Sequence, residues 1–277
     1  MQNNFIGMIV PDISNTFFSA LAFSAQKYLQ SLNHTLLICS SSNQVETEKN
    51  HFAEFNKIGV AGILCVSGLS EIPTEFLQEN NAPVVFLDRR PSNAEKNIWV
   101  ANDDVEATRM ATQFLIDNGC KNILIIPGYV AGKYESLQEK GYIKALEENK
   151  IPLNEVYILK RSGKESSHVE SEKMVTEFLK KELHVDGIIA SSDRSAFGAL
   201  KAFRSVGLYV PEDVKMISFD DTLYAELATP ALTSLNRQPE KLAQIACDLL
   251  LKKIAGDTIS EIVHYVPVTL EKRDSTR

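Results

Sequence analysis

Few of the residues that would announce an enzyme or a metalloprotein stand in a usable arrangement. The 277-residue chain has four cysteines, Cys39, Cys65, Cys120 and Cys247, and no two are close enough to form a CxxC pair. That removes the sequence signal for a zinc site or a redox dithiol. Cys39 and Cys65 lie in apolar runs and read as small buried hydrophobes, a usage that suits a reducing cytoplasm. The five histidines are scattered singly. Walker, GxGxxG, HExxH and GxSxG patterns are all missing. No two acids can be placed at a catalytic separation. The expectation is therefore a protein that is not an enzyme, with no cofactor and no metal.

Positive charge is also scarce. The net charge is −7, and the longest basic runs are pairs such as Arg89-Arg90, Lys180-Lys181 and Lys252-Lys253. Binding to nucleic-acid phosphates needs clustered Lys and Arg, so no such surface is expected on this stretch. The opening "MQNNFIGMIVPD" has no basic n-region, and no signal peptide is read there. No run approaches the ~20 apolar residues of a membrane span, so no membrane partner is expected.

What is present is a folded α/β pattern. Hydrophobic residues make up 44% and charged residues 23%, and the length suggests roughly two domains. Short apolar runs at 5–10, 35–39, 61–66 and 83–87 predict four buried strands, with helices near 16–31, 44–57 and 73–80 between them. The alternation resumes with strands at 122–126, 156–159, 186–190 and 214–219. Continuous apolar runs separated by helices are the mark of a parallel sheet covered on both faces. Asp103 caps a predicted helix, with Glu106 placed for a capping box and Asn118-Gly119 as the stop. Ser192 or Asp193 caps another, which ends at Gly207. A helix at 239–254 and a strand at 261–270 follow. Two βα blocks result, 1–101 and 102–236.

Ligands of parallel sheets bind beyond the carboxyl ends of the strands. Here those ends are polar: "PDISNTFF" (11–18), "DRRP" (88–91), "IIASSD" ending at Asp193 and "MISFDD" ending at Asp221. If the blocks face each other, these ends line one cleft. Carboxylates there suit hydroxyl pairs, Arg89 offers a planar donor fork, and Phe17 or Phe18 offers a ring to a sugar face. Each has a plainer reading beside it. Phe17 and Phe18 can pack in a core, Ser192 and Asp193 can cap a helix, Arg89 and Arg90 can be a solvated pair, and Asp221 can turn the chain. Asp220, first after its strand, is assigned to the ligand.

The order and spacing of several segments resemble the effector-binding region of the LacI/GalR family of bacterial transcription regulators, across nearly the whole chain. They include "IGMIVPDISNTFFSAL", "VAGILCV", "PVVFLDR", "VANDDVEATRMATQFLIDNGCKNILIIPG", "DGIIASSDRSAFGALKAFRSVGLYVPEDVKMISFDD" and "TPALTSLNRQP". The resemblance implies two Rossmann-like subdomains with parallel sheets, a periplasmic-binding-protein-like type I fold. Three chain crossings are implied near 101, 237 and 267. The subdomains would be 1–101 with 238–266 and 102–237 with 267–277. The effector contacts implied are Phe17, Asp88, Arg89, Tyr134, Gln138, Ser192, Asp193 and Asp220. Gln138 stands where the family usually has Arg, and Ser192 where it often has Asn. The family's N-terminal helix-turn-helix is missing from this sequence; either the chain is truncated, the reading favoured here, or the natural protein lacks that domain.

The function implied is that of a cytoplasmic, homodimeric repressor of a carbohydrate-utilisation operon. It would sense a sugar, with sucrose or another fructosyl sugar suggested by Arg89. It would reach operator DNA through the missing domain. The alternatives are a regulator that answers to a partner protein and a solute-binding protein of a sugar transporter.

Overall fold

The computed structural model describes residues 4–69, 71, 82–89, 92–128, 136–161 and 168–277. The chain divides into two units, Met1–Asn102 with Gln238–Val266 and Asp103–Arg237 with Pro267–Arg277. It passes from one to the other three times. Asn102 falls in the first unit, where its side-chain amide donates to the Val266 carbonyl at 2.8 Å.

The first unit carries a six-stranded sheet. Its strands are β1 (Phe5–Val10), β2 (Thr35–Ser40), β3 (Gly62–Cys65), β4 (Val84–Leu87), β5 (Ile98–Ala101) and β10 (Val263–Tyr265). Their order is β10-β5-β4-β3-β1-β2 and every pairing is parallel. Alternate residues supply opposite faces. Ile6, Met8 and Val10 of β1 enter one core with Val85 and Leu87 of β4, while Ile9, Val84 and Phe86 enter the other. Helices α1 (Thr16–Ser31) and α8 (Pro239–Ile254) cover the first face, and α2 (Val45–Ile58) supplies Phe52 and Phe55 to the second. The spacing of Phe18, Leu21, Ala22, Ala25 and Leu29 gives α1 its single apolar stripe.

The second unit repeats the plan with five strands. They are β6 (Ile123–Ile126), β7 (Gly187–Ala190), β8 (Lys215–Asp220), β9 (Thr233–Asn236) and β11 (Thr269–Glu271), ordered β11-β9-β8-β7-β6. Only β11 runs antiparallel to its neighbour. Helices α3 (Asp104–Asp117) and α4 (Leu137–Glu148) pack on one face, and α5 (His168–Leu179) and α6 (Asp193–Ser205) on the other. A short α7 (Leu223–Leu227) follows β8. None of the helices among the described residues is long and apolar enough to cross a membrane.

The structure corrects the sequence reading in four places. The run at 156–159 is not a strand of either sheet. It forms a 3-10 turn at Glu155–Tyr157 and a single bridge from Ile158 to Ile125. The predicted strand at 261–270 is two strands, β10 and β11, one in each sheet, with Pro267 between them. Pro has no N–H for a ladder, so the break falls there. Strands β5 and β9 were not anticipated; β9, "TSLN", carries a single apolar residue. Asp103 does cap α3, accepting the Glu106 N–H at 3.0 Å. The Glu106 carboxylate instead pairs with Arg109 at 2.6 Å. The helix expected near 73–80 lies outside the described residues.

Two glycines set how closely helices approach. A Cβ on Gly141 of α4 would fall on the Val105 carbonyl of α3, and one on Gly198 of α6 would fall on the His168 carbonyl of α5. Backbone cannot yield as a side-chain tip does. Gly141→Ala and Gly198→Ala are each expected to cost about 1–3 kcal/mol by overpacking. Urea denaturation of the variants against the parent reads this directly, and an unchanged midpoint would contradict the close approach.

Candidate functional site

The carboxyl edge of each sheet collects that unit's polar side chains. In the first unit, β1 runs into Pro11 and Asp12. Asp12 Oδ1 accepts both the backbone N–H (2.9 Å) and the hydroxyl (2.6 Å) of Ser14. Asn15 then caps α1 by accepting the Phe17 N–H at 2.9 Å. Phe17 and Phe18 both pack in the core, 1% and 5% exposed, with their rings edge to face at 5.5 Å.

Asp88 ends β4 in a left-handed conformation, φ 58°. Its backbone is fixed on both sides: its N–H donates to the Val100 carbonyl at 2.9 Å, and its own carbonyl accepts Trp99 Nε1 at 3.1 Å. Its carboxylate lies 3.8 Å from Arg89 Nε. The Arg89 guanidinium stands 5.7 Å over the Phe18 ring and reaches Asn43 Oδ1 at 3.4 Å. About a third of the Arg89 side chain remains exposed. Asp88 and Arg89 are therefore brought together as a donor and acceptor couple, with Phe18 beneath.

Behind this couple sits a residue that the sequence reading passed over. Glu48 of α2 is fully buried, accepting the Ser67 hydroxyl at 2.5 Å and the Gly68 N–H at 2.9 Å. Burial pushes its carboxyl above the usual range, opposed by Ser67, Gly68 and the charges of Arg89 and His51. The signal was available. Glu48, Phe52 and Phe55 form one helical stripe, and an acid on an apolar stripe is out of place.

In the second unit, Gln138 is almost fully buried, and its Oε1 accepts the Gly128 N–H at 2.7 Å. The amide that replaces the expected arginine thus pins the chain beyond β6. Tyr134 lies outside the described residues. Ser192 caps α6, its Oγ accepting the Ser195 N–H at 3.1 Å. Asp193 is 1% exposed and accepts four hydrogen bonds: from the hydroxyls of Ser218 (2.6 Å), Ser234 (3.2 Å) and Thr222 (2.7 Å), and from the Thr222 N–H (2.8 Å). Burial raises its carboxyl and these donors partly offset the rise. Both residues of the pair are thus engaged within the unit, Ser192 as a cap and Asp193 as the knot that ties α6 to the ends of β8 and β9.

Asp220 and Asp221 both have positive φ, 98° and 53°. A non-glycine residue rarely holds such a backbone, and sites that do are often ligand clamps. The two side chains have different partners. Asp221 pairs with Arg273 at 2.7 Å and accepts the Asn236 amide at 2.9 Å. Asp220, 7% exposed, faces Arg237 at 3.4 Å.

Arg161, also unforeseen, bonds the Pro127 carbonyl through Nε at 2.8 Å. It also reaches Glu170 at 2.7 Å, Ser195 at 2.7 Å and Ser191 at 3.2 Å, so it joins the ends of β6 and β7 to α5 and α6. Nothing in "LKRSG" marks it, because every partner is distant in sequence.

Comparison with known proteins extends this picture. The family described as periplasmic binding protein-like domain matches residues 112–276. The ribose operon repressor of Halalkalibacterium halodurans is 27% identical over 274 residues, 98% of this chain and 79% of that protein. Catabolite control protein A of Priestia megaterium is 29% identical over 276 residues, 98% and 81% of the two. Among solved structures, the transcription regulator CcpA of Lactococcus lactis superposes with a TM-score of 0.89 at 25% identity, covering all of both chains. A periplasmic binding protein/LacI transcriptional regulator from Alkaliphilus metalliredigens, complexed with D-xylulofuranose, gives 0.86 at 26%, covering 99% of each. A LacI family regulator from Enterococcus faecium with bound ribose gives 0.84 at 25%, covering 98% of each.

The buried Glu48 gives the site edge a pH signature. A carboxyl raised in the folded state adds stability that is complete below its unfolded value, about 4.5, and is lost as pH rises through the folded value. Glu48→Gln removes that dependence. From about pH 4.5 toward neutrality the parent should therefore lose stability relative to the variant. Denaturation midpoints across that range measure it, and a constant difference between the two proteins would refute the raised carboxyl.

Proposed function

Because the chain belongs to the periplasmic binding protein-like domain family, in the form carried by LacI-type transcription regulators, we propose that it is the effector-sensing region of a sugar-responsive repressor. The observation that carries this reading is the pair of Asp–Arg couples at strand ends, Asp88 with Arg89 and Asp220 with Arg237. Groups of that kind suit a hydroxyl-rich ligand, since each couple offers an acceptor and a donor fork side by side. The bound ribose and D-xylulofuranose of two neighbours at 25% and 26% identity support the same ligand class.

Binding of the sugar favours one state of the chain over another. It can do so only by its differential affinity for the two states. The readout is operator DNA, held by a helix-turn-helix domain attached to this region in a cytoplasmic homodimer. The relatives' names, repressors and a catabolite control protein, support regulation rather than catalysis.

Thermal melting against ribose, xylulose, fructose, cellobiose and sucrose tests the reading. A sugar at ~100 times its dissociation constant should add about 2.7 kcal/mol of stability. Asp220→Ala should abolish that gain while the ligand-free protein still melts cooperatively. A gain that survives intact in the variant would remove Asp220 from the site.

A further inference from the structure

The backbone that carries Asp88 is held in an uncommon form. The Arg89 N–H donates to the Leu87 carbonyl at 2.5 Å, which closes a three-residue turn with Asp88 at its centre. With φ 58° at that centre, the turn is of the rare, strained hand. Such a backbone persists only where its surroundings hold it.

The hold comes from β5. The Val100 carbonyl accepts the Asp88 N–H at 2.9 Å, and the Trp99 indole N–H donates to the Asp88 carbonyl at 3.1 Å. The peptide plane between Asp88 and Arg89 carries the Asp88 carbonyl at one end and the Arg89 N–H at the other. Trp99 grips the first and Leu87 the second, so the plane cannot rotate without breaking a bond. Rotation there would redirect the chain on both sides and with it the Asp88 carboxylate, which stands 3.8 Å from Arg89 Nε.

Trp99 is itself firmly placed. It is registered against Phe86 of β4 and Val263 of β10. Its ring meets Tyr265 edge to face at 5.9 Å and packs against the core that holds Phe52, Phe55 and Phe86. A partly buried indole needs an acceptor for its N–H in any case. That need does not require the acceptor to be the peptide of a left-handed acid at a strand end.

We propose that Trp99 is a positioning residue for the effector: its indole N–H fixes the turn that aims the Asp88 carboxylate. This rests on the sugar reading above, in which Asp88 contacts the ligand, and adds a residue that acts through it. Every group involved belongs to the first unit.

Calorimetry tests it. Ribose, xylulose, fructose, cellobiose and sucrose are titrated into the parent, and the sugar that binds is titrated into Trp99→Phe, Asp88→Gly and the double variant. Phe keeps a ring beside Tyr265 but has no N–H to donate. Gly accepts a positive φ and leaves no carboxylate to aim. Trp99→Phe should melt cooperatively and bind roughly tenfold more weakly, the scale of one lost hydrogen bond. In the Asp88→Gly background the same change should cost about twofold or less, because nothing remains to be positioned. Equal losses in the two backgrounds would overturn the inference, and so would parent-like affinity in folded Trp99→Phe. Either result leaves the sugar reading standing. Failure of every sugar to bind the parent would bring down the sugar reading, and the inference with it.

A second arm keeps the shape of the ring. The chain has one tryptophan, so benzothienylalanine, an isostere with sulfur in place of the indole N–H, replaces that side chain alone. The substituted protein should show the same roughly tenfold loss. Parent-like affinity there would overturn the inference, whatever the Phe variant does.

Discussion

A strand buried on both faces can carry a charged side chain only at its ends, and most of what is distinctive in this protein follows from that constraint. Strands β3, β4, β6 and β7 are buried along their whole length. The polar residues excluded from them gather beyond the last apolar position, on the edge where the following helices begin. There they have two fates. Some, such as Asp193, Gln138 and Arg161, are consumed in holding loops to helix starts. Others, Asp88 with Arg89 and Asp220 with Arg237, pair an acid with a base at the strand end itself.

The left-handed backbone at Asp88, Asp220 and Asp221 belongs to the same economy of space. A strand that ends in an ordinary turn would send its next side chain on with the chain. Positive φ re-aims it at once, so that consecutive residues take unrelated partners. Asp220 and Asp221 illustrate this, since one faces Arg237 and the other Arg273. Asn and Asp tolerate such a backbone better than most residues do. The acids are therefore well suited to the geometry as well as to the chemistry.

The parts of this structure that were legible in the sequence are those that local pattern decides. The long apolar runs of β1 and β8, the stripe of α1, the cap at Asp103 and the stop at Gly119 all follow from neighbours a few positions apart. The sequence places the two acids of "FDD" at a strand end, and Asp220 is the last residue of β8. Local pattern failed where a distant partner decides. Strand β9, "TSLN", looks like a polar turn, yet its Thr233 and Ser234 are fully buried. Their hydroxyls are satisfied by Thr276 and Asp193, far along the chain. Arg237 meets Asp220 across 17 positions, and Arg161 meets Ser195 across 34. Glu48 alone left a local trace, an acid within an apolar stripe.

The single apolar stretch that Pro267 divides between β10 and β11 has a consequence for biosynthesis. The first unit lacks α8 and β10 until residues 238–266 have left the ribosome, by which time all of 103–237 has already emerged. Domains tend to fold in the order in which they are completed. The second unit, though it starts later in the chain, has nearly all its elements in hand first. The N-terminal strands must meanwhile wait with one face covered by α1 alone, because the partner of α1 in that core is α8. The unit that begins first in the chain is thus the one whose α8 face is supplied last.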